Sequence, residues 1–158
     1  MKFWKGICEV ALALALCASF GAMAQLADKK VLNLDGARKV AAAAEAEAKK
    51  NNWNVVIAIV DDGGNLIYLQ RMDGTQTGSI QIAIDKAKTA QAFKRPTKVF
   101  EDAIAGGRNA ILGIDAALPL EGGLPIKSGD EVVGAIGVSG VTAQQDGQIA
   151  KAGADLIK

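Results

Sequence analysis

Apolar and polar positions along the chain change their spacing several times, and each change marks an element. After Asn33, "LDGARKVAAAAEAEAKKN" is dense in strong helix formers and predicts a helix with Asn33 as its N-cap. "NVVIAIV" then runs apolar without a break, at strand length and rich in β-branched residues, as a strand buried on both faces does. The turn "DDGGN" and the returning strand "LIYLQR" complete a hairpin. Helical spacing resumes at about Ser79–Lys94 and stops at Pro96, and Thr97 is placed to cap a shorter helix, Lys98–Ala105, ending at Gly106-Gly107. A second hairpin follows, with a short strand at Leu124–Lys127, a Ser-Gly-Asp turn and a long strand at Glu131–Val138. Thr142 and Gln145 form a capping box for a last helix, with Ile149, Ala152, Leu156 and Ile157 on one face. Helix, hairpin, two helices, hairpin and helix predict an α+β domain with an antiparallel sheet. Residues 108–122 carry no clear pattern.

Three positions break the pattern. On a wheel of about 100° per residue, Ile82, Ala83, Ala87, Ala90 and Phe93 share one arc of the Ser79 helix, and Lys86 falls inside it. A lysine there either binds an anion or works as an amine of lowered pKa, or else it snorkels or pairs with a carboxylate such as Asp73 or Asp61. In "VVGAIGVSG", Gly134 and Gly137 lie inside a strand and mark close backbone approach to a helix or a neighbouring subunit.

The N-terminal segment changes the inventory. Lys2 and Lys5, an apolar run from Val10 to Phe20 and then Ala22-Met23-Ala24 have the order of a secretory signal peptide, cleaved between Ala24 and Gln25. The expected mature protein is a single exported domain over residues 25–158, periplasmic or extracellular and without a membrane span. Removing residues 1–24 takes two of 18 basic and one of 17 acidic side chains, leaving 16 of each. A neutral chain argues against nucleic acid as a partner. Both cysteines, Cys8 and Cys17, leave with that segment, and the chain has no histidine. Disulfides, Ser-His-Asp triads, Cys-His pairs and Cys/His zinc sites are excluded. No calcium-loop spacing occurs, and no metal site is expected.

What chemistry remains gathers between residues 71 and 98. Arg71, Lys86, Lys88, Lys94, Arg95 and Lys98 outweigh Asp73 and Asp85 there, and Thr75, Thr77 and Ser79 surround a helix N-terminus suited to an anion. The candidate ligand-binding set is Arg71, Met72, Asp73, Ser79, Lys86, Phe93 and Arg95. Tyr68 and Met72, the only phenol and thioether after residue 24, are candidate iron ligands.

Taken in order, "AAAAEAEAKKNNW", "VVIAIVDDGGNLI", "RMDGTQTGS", "DKAKTAQAFKRPT" and "GGLPIKSGDEVVGAIGVSGVTAQQD" resemble the GlcG/HbpS family of haem-binding or haem-degrading domains, also found at the C-terminus of PduO-type proteins, over about residues 32–157. The resemblance implies a profilin-like fold, a five-stranded antiparallel sheet flanked by helices, in a homo-oligomer. The fifth strand would come from residues 110–119. It also implies a haem or related tetrapyrrole ligand, with the basic segment meeting the propionates and Phe93, Ile82 and Met72 the ring. A histidine is implicated in haem ligation in some relatives; here Tyr68, Met72, a lysine or a threonine hydroxyl would have to serve. The alternative is an enzyme or accessory factor for a small organic acid, with Lys86 and Arg71 as carboxylate anchors. A third reading makes the basic segment a subunit interface.

Overall fold

A computed structural model of the protein describes residues 27–157. The predicted signal segment, residues 1–24, lies outside them. The elements follow in the order α1 (Leu34–Lys50), β1 (Val56–Asp61), β2 (Leu66–Arg71), α2 (Ser79–Phe93), α3 (Lys98–Ala105), a short 3-10 turn (Asn109–Gly113), β3 (Gly123–Ser128), β4 (Glu131–Ser139) and α4 (Ala143–Ala154). Among these residues no helix is long and apolar enough to cross a membrane.

The strands form one antiparallel sheet in the order β2-β1-β4-β3. β1 is central and buried on both sides, and its alternate residues serve two different layers. Val55, Ile57 and Ile59 join Ile136, Val138 and Ile126 against α1 and α4, forming the main core. Val56, Ala58 and Val60 face the other way, towards Ala83, Ala87 and Ala90 of α2. The first layer is filled by isoleucines and valines, each fully buried branched side chain contributing about 1.5–3 kcal/mol. The second has small residues on both sides, so α2 approaches the sheet closely.

Gly137 marks that approach. A Cβ built there would lie 2.0 Å from the Ala83 carbonyl oxygen and 2.5 Å from the Ala87 amide nitrogen. Both neighbours are helix backbone, which cannot swing aside. The close approach expected at Gly137 is therefore to a helix, whereas a Cβ built at Gly134 would lie 2.5 Å from the Val60 carbonyl oxygen of the neighbouring strand β1. Gly137→Ala should cost about 3 kcal/mol or more in urea unfolding, since overpacking against backbone has no rotamer to relax into. Gly78→Ala, where no atom lies within 4 Å, should stay within about 0.5 kcal/mol. Equal effects would contradict this packing.

Three expectations are corrected. Among the described residues the sheet has four strands, not five. Residues 110–119 instead form the 3-10 turn and a coil ended by Pro119, with only Ile111 of their large apolar side chains buried. That coil is held to α2 rather than to a sheet edge: Thr89 Oγ1 accepts from the Leu118 amide at 2.9 Å. Thr97 stands before α3, but its hydroxyl accepts from the Gly123 amide at 2.9 Å and does not cap the helix. The last helix ends at Ala154, which leaves Leu156 exposed. The capping box is present, with Thr142 Oγ1 accepting from the Gln145 amide and Gln145 Oε1 from the Thr142 amide.

Candidate functional site

β2 ends on the α1 side of the sheet, where Gln70, Arg71, Met72 and Asp73 meet Glu45, Lys49 and Asn54 around a cleft of about 360 Å³. Register builds this. Ile59 pairs with Tyr68 and Ile57 with Gln70, so these two side chains share the face of those isoleucines, towards α1, whereas Arg71, paired with Val56, alternates to the other face and borders the cleft from the end of the strand. The Met72 amide donates to the Val55 carbonyl at 3.0 Å and carries the pairing one residue past the strand. Gly74 then turns the chain with φ +79°, a conformation suited to glycine.

A polar relay lines the cleft. The Tyr68 hydroxyl donates to Gln70 Oε1 at 3.1 Å. Gln70 in turn bonds Glu45, which also pairs with Lys49 at 2.7 Å. Hydrogen bonds from Lys49 first and Gln70 second hold the Glu45 carboxyl below its ordinary range. Glu45 is thus anionic and engaged with Lys49. Met72, partly buried against the main core, supplies the cleft's thioether.

The structure brings Arg71, Met72 and Asp73 together, with Tyr68 one hydrogen bond away through Gln70. The other expected residues lie elsewhere. Ser79 is buried at the first position of α2, and the amides of Ser79 and Ile80 donate to the carbonyls of Gln76 and Thr77, which removes them from an anion site. Phe93 lies 14 residues on, about 21 Å along the helix. It packs edge-on against Phe100 at 5.0 Å and 64°. Arg95 is exposed, its Nε donating to the Phe93 carbonyl at 3.2 Å.

Lys86 does not meet a ligand anion. It is 2% exposed, and its ammonium donates to Asp146 Oδ2 at 2.8 Å and to the Val138 carbonyl at 3.0 Å. Its carboxylate partner is thus Asp146 of α4, rather than Asp73 or Asp61. Asp61 is occupied otherwise, accepting from the Gly63 and Asn65 amides within its turn. Burial pushes the Asp146 carboxyl up, opposed by Lys86 and by the Val141 and Gly140 amides. Enclosed in this way, Lys86 cannot anchor a carboxylate jointly with Arg71.

Glu45, Lys49, Asn54 and Gln70 were missed by sequence reasoning. The available signal was the i,i+4 spacing of Glu45 and Lys49 on the predicted first helix. Nothing local ties that helix to the end of β2.

Comparison with known proteins follows the same boundaries. The family model described as "Haem degrading protein HbpS-like" matches residues 32–155. Protein GlcG of Escherichia coli K12 is 42% identical over 111 residues, 70% of this chain and 83% of that protein. A crystal structure of a Streptomyces reticuli HbpS double mutant superimposes with a TM-score of 0.77 at 33% identity, covering 89% of this chain and 94% of the other. A crystal structure of a PduOC–haem complex does so with a TM-score of 0.72 at 26% identity, covering 81% and 96%.

Proposed function

Because the chain belongs to the HbpS-like family, we propose that it is an exported, oligomeric protein that binds haem or a related tetrapyrrole in the cleft at the end of β2, for haem handling or redox sensing. The haem complex of a similar fold supports the ligand class. The observation that carries the location is the juxtaposition of Met72 with Arg71 and Lys49 in one cleft.

The donor set fits an iron porphyrin in a limited way. With no histidine in the chain and both cysteines before residue 25, Met72 is the cleft's soft donor, and thioethers do serve as axial haem ligands. Tyr68 is the second candidate, but its hydroxyl is committed to Gln70. Arg71 would meet a propionate with a charge-assisted hydrogen bond. Lys49 contributes less, being paired with Glu45. A bound haem would supply an iron able to change oxidation state. The chain's part is to hold the ring's edge with Arg71, cover one face with Met72 and fix the wall through the Tyr68–Gln70–Glu45–Lys49 relay. The exposed apolar side chains of Val99, Leu112, Ile114 and Leu120, all within one stretch of the sequence, support an oligomer that would cover them.

Hemin titration of protein lacking residues 1–24 should give a saturable Soret band distinct from that of free hemin. Arg71 is exposed, so Arg71→Glu should fold normally and weaken binding about tenfold, the loss of one charged hydrogen bond of about 1.5 kcal/mol. A spectrum that never departs from free hemin would contradict the ligand. Unchanged affinity in Arg71→Glu would contradict the location.

A further inference from the structure

We infer that the outer edge of β2 docks the same edge of a second copy of this chain, the two strands pairing antiparallel about a two-fold axis. The inference rests on the oligomer proposed above and names its contact.

Backbone groups left without partners carry the argument. β2 is the last strand on its side of the sheet. The Met72 amide bonds to the Val55 carbonyl, and hydrogen-bonded positions alternate along an antiparallel ladder, so Gln70 and Tyr68 also turn inward to β1. Leu69 and Arg71 therefore point their N–H and C=O groups away from it. Among the described residues no other stretch of backbone bonds to them.

The opposite edge is closed. There the Val138 amide donates to the Gly122 carbonyl, which makes Gly123 and Pro125 the outward positions of β3. Gly123 is satisfied by Thr97, whose amide donates to the Gly123 carbonyl at 3.0 Å and whose hydroxyl accepts from the Gly123 amide at 2.9 Å. Pro125 has no N–H to offer, and the exposed Lys127 follows it. β2 carries none of these guards. Its sequence is Leu-Ile-Tyr-Leu-Gln-Arg, and Leu66 is 44% exposed. Such an edge is a template for another strand.

A second copy fits this edge by charge and by apolar content. Arg71 is the only charged residue of β2 and lies at its end. Antiparallel pairing keeps the two guanidinium groups at opposite ends of the contact, whereas parallel pairing would set them side by side. Beside the edge, Leu69, Ile80 and Ile84 are only partly buried against the second layer. A two-fold axis brings the same side chains of the second copy towards them.

Amide hydrogen exchange and light scattering on protein lacking residues 1–24 test the pairing. In the oligomer the outward amides of Leu69 and Arg71 should exchange as slowly as the inward amides of Tyr68 and Gln70. Leu69→Pro removes only an outward N–H, and Leu69→Lys places a charge beside the edge. Each should lower the scattering mass to that of one chain while the far-ultraviolet circular dichroism is kept. An oligomer whose Leu69 and Arg71 amides exchange about tenfold or more faster than those of Tyr68 and Gln70 overturns the inference and leaves the oligomer standing. Folded variants that keep the wild-type mass do the same. A wild-type mass of one chain at every concentration overturns both.

Discussion

Lys86→Ala and Asp146→Ala should each lower the unfolding free energy by about 3–5 kcal/mol, because either leaves a charge buried without its partner. That is a large share of the roughly 5–15 kcal/mol that holds a domain together. Lys86 and Asp146 are both about 3% exposed at their side chains. They belong to helices on opposite faces of the sheet, and their contact passes the end of β4 at Val138. Gly122 keeps the passage open. With φ +126°, it leaves no room for a side chain, and a Cβ there would lie 2.8 Å from the Lys86 nitrogen and 2.9 Å from the Asp146 Cβ. The pair thus pins α2 to α4 through the rim of the sheet. Lys86→Met with Asp146→Leu should recover most of the single-variant loss, as buried ion pairs replaced by apolar residues of similar volume commonly do. Urea unfolding of the two single variants and the double variant measures this coupling. Single losses under about 1 kcal/mol, or strictly additive ones, would contradict a buried tie.

Much of this was legible in the chain itself. The unbroken apolar run of β1 announced a strand buried on both faces, and Gly137 inside a strand announced a close backbone approach, to a helix or a neighbouring subunit, which the structure assigns to α2. The helical wheel placed Lys86 inward, and the structure agrees. Its partner was not legible, because Asp146 is 60 residues away in sequence and nothing local in either helix encodes the meeting. The candidate site failed for a related reason. Residues 71–98 are close in sequence and rich in cations, but a helix of 15 residues carries its two ends about 21 Å apart. Proximity in sequence gathered Ser79, Phe93 and Arg95 with Arg71; the fold keeps only Arg71, Met72 and Asp73 together. Residues 108–122 were unreadable because their apolar side chains mostly face outward, so no periodicity records a core.

In the proposed binding mode Met72 would face the iron of a bound haem. In protein lacking residues 1–24, Met72 is the only methionine of the sequence, so its methyl signal is unambiguous. Thioethers favour the softer, reduced metal. Proton NMR of the hemin-loaded protein after reduction is therefore the most direct measurement, comparing the wild type with the near-isosteric Met72→Leu. The wild type should show one methionine methyl resonance moved far upfield by the porphyrin ring current, and Met72→Leu should lose it and change the visible spectrum. A wild-type methionine methyl at its ordinary position, with visible spectra identical in the two proteins, would contradict that binding mode.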